Sequence, residues 1–396
     1  MFYKRDILDK IKKVLLREEF IILSGARQTG KTTLMRILKD YLEKSGHPCY
    51  YFNLENPEYL KLFNENTFNV FEVMPKDNVK QYIFIDEIQY LDDPSGFLKL
   101  LFDEKREQIK VVCSGSSSFY LDKKFKDSLA GRKFLFEIYP LNFLEFLLFK
   151  NEDKLLAERK NKLSLYYRKR LAGLWQEYLI FGGYPKIVLE ENEEMKKVLL
   201  EEIGTSYIKK DIFDAGIRNE EKYFFLLKLL ASQTGQLVNS KELSNTIGIA
   251  HKTVLEYLYV MKKSYQISFI TPFYNNLRKE LVKMPKVYFN DLGLRNFFLG
   301  DYSLIEKRSD RGAYLENVAF REFQKEVENV SKIKFWRTQD QKEVDFVVGE
   351  KAYEIKYDAF GCKEKKYEAF KQQYPHIEFS FLSASDMLKK FYGWKN

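Results

Sequence analysis

Cysteine, histidine, proline and glycine are all scarce here: three, three, nine and nineteen among 396 residues. Cys49, Cys113 and Cys362 are widely scattered, and so are His47, His251 and His376, so neither a disulfide framework nor a zinc site is legible. Few glycines and prolines beside 45% hydrophobic and 16% aromatic residues exclude a disordered or collagen-like chain. Long apolar runs are missing too, none approaching the roughly 20 residues of a membrane span. The opening stretch, MFYKRDILDKIKKVLL, reads as a charged amphipathic helix without the apolar core or cleavage site of a secretory signal. A cytoplasmic protein without a membrane partner is expected.

The length calls for two or more packed domains. The net charge is +9, and residues 231–290 alone carry about +5, so an acidic partner near that segment is expected.

From Phe20 to Ile138, short apolar runs alternate with helical stretches: FIILS (20–24), CYYFN (49–53), YIFID (82–86), VVCSG (111–115) and FLFEI (134–138). Continuous apolar strands separated by helices are what a parallel sheet covered on both faces requires, so residues 1–150 are read as an α/β domain. Residues 151–221 read as a helical connector or lid interrupted at FGGYP (181–185), where two glycines and a proline stop a helix. Residues 222–290 have the rhythm of a winged helix: a helix to Gly235, a second from a capping pair Asn239/Glu242, a turn at Gly248, a third over 251–263, then a hairpin around FYNNLRKEL. Residues 291–396 read as a helix, three strands, a helix and a strand.

The first chemistry-bearing motif is Gly25-Ala26-Arg27-Gln28-Thr29-Gly30-Lys31-Thr32-Thr33, a GxxxxGK[ST] run between a strand and a helix. Its glycines let backbone N–H groups curl round phosphate oxygens, Lys31 reaches the β- and γ-phosphates, and Thr32 offers a hydroxyl to Mg²⁺, which predicts ATP and Mg²⁺ as cofactors. The second motif, YIFID followed by Glu87, delivers Asp86 to the metal's water shell and Glu87 to the attacking water. Ser114, at the end of the next strand, is either a γ-phosphate sensor or an ordinary turn residue.

In the basic segment the helix from His251 to Lys263 would be the reader, with His251, Lys252, Thr253 and Glu256 near its start and Arg278 and Lys279 on the wing. Nucleic acid, DNA rather than RNA, is one expected partner; a protein contact or an ATPase lid is the alternative.

Near the C-terminus, Gly349-Glu350 reads as a two-residue hairpin loop pairing Val348 with Lys351. That register sets Asp345 opposite Glu354 and Glu343 opposite Lys356, all four on one face, with Val344, Phe346 and Ile355 on the other. Two facing carboxylates would be relieved by a divalent cation, with Lys356 activating a water for phosphodiester attack; the alternative is a salt-paired exposed sheet face. With Glu316 on the preceding helix, the set resembles the PD-(D/E)XK nuclease pattern, although its proline is absent. Glu316, Asp345 and Glu354 are the candidate metal ligands; Asp345, Glu354 and Lys356 are the candidate catalytic groups.

The chain as a whole resembles archaeal and bacterial AAA+-like ATPases whose C-terminal half carries a restriction-endonuclease-like domain. The resemblance rests on GARQTGKTT (25–33), FIDEIQ (84–89), SGSSS (114–118), LAGR (129–132), YPLNFLEF (139–146), FGGYP (181–185), PKVYFNDLGL (285–294), YLEN (314–317), WR (336–337), EVDF (343–346) and EIK (354–356), with Ala26 where a proline is usual. It implies a P-loop sheet, a helical connector, a winged helix and a nuclease-like α/β module. It also makes Arg132 a candidate contact to the γ-phosphate, in cis or from a neighbouring subunit of an oligomer, against the alternative of a plain surface arginine. The expected function is a Mg²⁺-dependent ATPase acting on nucleic acid; the alternative is an ATP-gated switch that holds a protein partner without cutting.

Overall fold

The computed structural model describes residues 3–75, 79–116, 129–274, 283–358 and 364–394. It divides into two compact units, one of residues 1–139 with 263–265, the other of 140–262 with 266–396.

In the first unit the five apolar runs become β1 (Phe20–Ser24), β2 (Cys49–Asn53), β3 (Gln81–Asp86), β4 (Ile109–Gly115) and β5 (Lys133–Glu137). They form one parallel sheet in the order β2-β3-β4-β1-β5. β1, β3 and β4 are buried at every position, because helices cover both faces. On one face Leu34, Met35, Leu38 and Leu42 of α2 (Lys31–Lys44) pack with Leu8 and Ile11 of α1 (Asp6–Lys12). On the other, Phe63 of α3 (Pro57–Glu65) packs with Phe97, Leu98 and Leu101 of α4 (Pro94–Lys105). α4 starts where Pro94 presets the first turn and the Asp93 side chain accepts from Gly96 N–H. In such a sheet all strand C-termini lie at one end, and that end carries Ser24 and Asp86.

The second unit begins with α5 (Phe143–Phe149) and α6 (Leu165–Phe181) and continues through α7 (Glu220–Ser232), α8 (Ser240–Ile247) and α9 (His251–Lys263). Asn239 caps α8 by accepting from Lys241 and Glu242 N–H, and Gly248 ends it at φ +71°. β6 (Ile267–Pro272) and β7 (Lys286–Phe289) then pair antiparallel, the element order expected of a winged helix. The wing residues Arg278 and Lys279 lie outside the described residues.

The hairpin does not stand apart from the C-terminal block. β6 also pairs parallel with β8 (Ile333–Arg337), which continues antiparallel into β9 (Glu343–Val348) and β10 (Lys351–Lys356), and then parallel into β11 (Glu378–Ser383). One six-stranded sheet, β11-β10-β9-β8-β6-β7, crosses residue 290, where a domain border was expected. The reason is the edge of β6: its unpaired backbone groups find partners on β8. The far edge of β7 is covered by the backbone of residues 235–238, Gly235 N–H donating to Val287 C=O and Val287 N–H to Gln236 C=O, and at Phe289 by a side chain, the Asn317 amide accepting from Phe289 N–H and donating to Phe289 C=O, both at 2.9 Å.

The FGGYP and NDLGL motifs are each other's partners. Asp291 caps α10 (Leu292–Leu299) by accepting from Leu294 N–H, and its other oxygen accepts from Gly183 N–H at 2.8 Å. Burial lifts the Asp291 pKa above the usual carboxylate range, against the pull of these backbone donors. A Cβ on Gly183 would stand 2.1 Å from Leu141 O, and one on Gly293 2.1 Å from Phe181 O. Glycine is required at both for backbone approach, so the FGGYP interruption is a packed joint. Gly293→Ala is therefore expected to cost about 2 kcal/mol or more by denaturant unfolding. Gly173→Ala, with open space at an exposed site of α6, should gain about 1 kcal/mol; equal effects would show that the Gly293 contact relaxes freely.

Candidate functional site

The loop between β1 and α2 is held from beneath. Gly25 has no room for a side chain, its Cβ position lying 2.2 Å from Ile138 O. Gln28 and Gly30 take positive φ values of 61° and 93°, turning the chain back into α2. Within the loop Thr29 Oγ1 donates to Ala26 O at 2.9 Å. Arg5, only 6% exposed, donates to Thr29 O at 3.0 Å and to Tyr139 O at 2.9 Å. Lys31 is buried, its ammonium donating to Gly25 O and Ala26 O at 2.8 Å each. The ammonium thus sits in the concave side of the loop, at the N-terminus of a 14-residue helix. Thr33 points outward and is exposed, apart from these groups.

Asp86, at the end of β3 and 3% exposed, gathers hydroxyls. Thr32 Oγ1 donates to its Oδ2 at 2.7 Å, Tyr51 from β2 donates to the same oxygen at 2.6 Å, and Ser114 from β4 donates to Oδ1. Burial and the Asp86 charge raise the Tyr51 pKa well above its ordinary value, so its proton stays on the donor side. Ser114 also accepts from Glu87 N–H at 3.2 Å, fixing the backbone of the second acid. Glu87 occupies the left-handed region at φ 57°, ψ 48°, which a non-glycine residue adopts only when its surroundings enforce it. Its carboxylate accepts from Gln89 Nε2, which also donates to Ser116 Oγ at 3.1 Å.

The arrangement thus brings Gly25, Ala26, Thr29, Gly30, Lys31 and Thr32 together with Asp86, Glu87 and Ser114. The donor set suits Mg²⁺: a hydroxyl and a buried carboxylate oxygen already meet at 2.7 Å. Arg5, Tyr51 and Gln89 belong to this site and were missed. A lone arginine near the N-terminus and a tyrosine in a strand carry no local signal.

Arg132 is elsewhere. It precedes β5, its carbonyl accepting from Phe20 N–H at the start of β1. The register runs from Phe20↔Lys133 to Ser24↔Glu137, which sets it about 13 Å of strand away from the loop. Its guanidinium forms a two-pronged pair with Asp103 on α4, at 2.6 and 3.3 Å. A cis contact to the γ-phosphate is therefore corrected, because parallel strands put their N-termini at the opposite end of the sheet.

The C-terminal acids form a second cluster, built differently from expectation. The hairpin register is as read, with Lys351 opposite Val348 and Gly349 at φ +60°. Strict alternation fails in β9, however. Lys334 faces Val347 and Trp336 faces Val344, so two steps on β8 span three on β9 and one residue bulges. Val344 and Val347 consequently share one core with Trp336 and Ala352, while Phe346 packs on Phe323 and Tyr288. The expectation of Val344 and Phe346 on one face is corrected by that bulge.

The β9–β10 ladder ends at Phe346↔Tyr353, and Asp345 Oδ2 instead accepts from Ile355 N–H at 2.8 Å. Glu343 does not meet Lys356 but pairs with Arg337 across β8, and Lys356 donates to Glu354 at 2.5 Å. Lys286 of β7 lies among the acids, at 2.6 Å from Glu343, 3.6 Å from Glu316 and 3.8 Å from Asp345. Burial alone would lower its pKa, but the three carboxylates outweigh that and hold it above the usual lysine value. Burial, Glu316 and Glu354 push the Asp345 carboxyl well above its usual range. Among the described residues no group of three or more Asp, Glu, His or Cys has an arrangement that could hold a metal ion. Lys286 was missed, although a lysine in the short apolar run KVYF was a signal.

Comparison with known proteins fits the first site. Residues 17–147 match the model of an AAA domain, while residues 172–303 and 311–383 match two domains described only as of unknown function. An uncharacterized protein of Haemophilus influenzae is 30% identical over 88% of this chain and 84% of its own length. The chain belongs to that protein's family, and its N-terminal part is an AAA-type P-loop domain. An uncharacterized protein of Methanocaldococcus jannaschii is 27% identical over 84% of this chain and 73% of its own. A solved Thermotoga maritima RuvB Holliday junction branch migration motor covers 68% of this chain and 91% of its own at 16% identity and a TM-score of 0.35, too loose a likeness to carry an argument. Among the described residues no helix is long and apolar enough to cross a membrane.

With Arg132 at the far end of its own sheet, Arg132→Ala should leave ATP affinity in dilute protein unchanged within about twofold. A loss of about tenfold in a nucleotide titration would put its guanidinium at the phosphates after all.

Proposed function

We propose that this chain is a Mg²⁺-dependent ATPase that acts on nucleic acid. The observation that carries the hydrolytic part is the meeting of the Thr32 hydroxyl and the Asp86 carboxylate at 2.7 Å beside the loop that encloses Lys31. Thr32 and Asp86 would hold Mg²⁺, which would draw charge from the phosphate oxygens. Lys31 would exchange its two carbonyl partners for the β- and γ-phosphates, a stronger charge-assisted pairing. Glu87 would take the proton of the attacking water, its backbone fixed by Ser114 and its carboxylate steered by Gln89. Arg132 would reach a phosphate only from a neighbouring subunit.

Lys31→Ala should abolish tight ATP binding, whereas Glu87→Gln should keep binding and lower turnover by about a hundredfold or more. Equal steady-state hydrolysis by wild type and Glu87→Gln would end the assignment.

The nucleic-acid part rests on α9. Lys252, Leu255, Glu256, Tyr259 and Lys262 recur at helical spacing and are exposed, which makes this the outward face of the helix. Its two lysines suit phosphate. Lys286, counted in the basic surplus of this segment, is buried among carboxylates and adds nothing to that face.

A second reading, an ATP-gated switch that holds a protein partner, is favoured by the same face, because Leu255 and Tyr259 are 47% and 42% exposed beside Glu256. Apolar side chains next to a carboxylate suit a protein surface better than a phosphate backbone. The two readings separate on DNA. Under the first, duplex or single-stranded DNA raises the ATPase rate, binding falls steeply with salt, and Lys252→Glu with Lys262→Glu weakens it across all sequences and flattens the salt slope by about one unit per lost contact. A rate indifferent to DNA, with no binding at low salt in either nucleotide state, would leave the switch.

A further inference from the structure

The C-terminal acids raise a question that the P-loop site does not answer: what balances their charge. Glu316, Glu343, Asp345 and Glu354 converge where α11 (Arg311–Glu326) meets β9 and β10. Such convergence ordinarily invites a divalent cation, since facing carboxylates repel. Glu354 adds to the invitation: it is 4% exposed, its Oε1 accepts from Lys356, and its Oε2 is buried without a hydrogen-bond partner.

The donor set nevertheless does not fit a metal. Lys286 Nζ, 2% exposed as a residue, reaches three of the acids from β7. Its stem is fixed by the β6–β7 ladder, where Lys286 pairs with Ile270, and its ammonium lies 5.5 Å from the centre of the Phe335 ring. Glu343 is drawn off to Arg337, Tyr288 donates to Glu316 Oε2 at 3.2 Å, and one Asp345 oxygen is spent on Ile355 N–H. A cation arriving from solvent would have to displace these donors and then sit beside an ammonium that cannot leave. The lysine, being covalently placed, loses no translational freedom in holding its position.

We propose that Lys286 is the resident cation of the C-terminal carboxylate cluster, taking the position that a divalent metal would otherwise take, so that this chain does not retain Mg²⁺ or Mn²⁺ there. The cluster is then an internal ion-pair joint between the β6–β7 hairpin and the helix and strands that follow, and no phosphodiester cleavage runs through Asp345, Glu354 and Lys356. This inference is independent of the ATPase reading, because every residue in it lies outside the P-loop unit.

The test is Mn²⁺ binding to the nucleotide-free full chain, followed by electron paramagnetic resonance and by the thermal midpoint. Wild type should hold no Mn²⁺ that Asp345→Asn removes, and its midpoint should respond to Mn²⁺ no differently from that of Asp345→Asn. Lys286→Met should gain one Asp345-dependent Mn²⁺, bound at least about tenfold more tightly than any in wild type, with the midpoint rising as Mn²⁺ is added. Should Lys286→Met fail to fold, the pair Lys286→Met with Glu343→Gln removes one charge of each sign and should show the same gain. Asp345-dependent Mn²⁺ binding by wild type as tight as that of the variants would overturn the proposal, as would folded variants that gain none. ATP hydrolysis by the same preparations reports separately on the P-loop reading.

Discussion

A charge removed from water must find a partner inside the protein, and this constraint organises both units of the chain. Lys110, near the start of the central strand of the first sheet, donates to the carbonyls of Val14, Arg17 and Glu19, and burial draws its pKa down to about 7. The same rule places three hydroxyls on Asp86, backbone donors on Asp291 and three carboxylates round Lys286. Arg295 and Arg308 share Asp310 for the same reason. Apart from the local pairs Arg308–Asp310 and Asp291–Leu294, these partners come from other segments of the chain, so pairing the charge also fixes how the segments pack.

That view separates two kinds of motif. GARQTGKT and FIDE meet at the C-terminal end of a parallel sheet, where strand ends leave side chains and loop N–H groups directed at a ligand. FGGYP, NDLGL and YLEN do something else: their glycines permit close backbone approach, and Asp291 and Asn317 satisfy main-chain groups that burial would otherwise orphan. The second group holds the fold together, and its glycines, Asp291 and Asn317 do not point to a reaction.

The acidic cluster lies between these kinds. Its residues have the types and spacing of a cation site, yet the bulge in β9 and the lysine of β7 change what they can do. A single extra residue reverses which side chains share a face, so a constellation deduced from strict alternation is only as good as the ladder beneath it.

The sequence by itself determined the five parallel strands, the phosphate loop, the two strand-end acids and the 349–350 turn, because period, turn chemistry and motif spacing are local quantities. It also specified the helices of residues 222–263 to within a few residues. Only the tertiary structure decided that Arg132 sits at the wrong end of the sheet for its own loop, that Tyr51 and Gln89 hold the two acids, that the hairpin of residues 267–289 joins the C-terminal sheet, and that Lys286 fills the acidic cluster. The reason is one of range: backbone propensity acts over a few residues, whereas the partner of a buried charge or an unpaired strand edge is chosen among groups on other segments and fixed only when the whole chain packs.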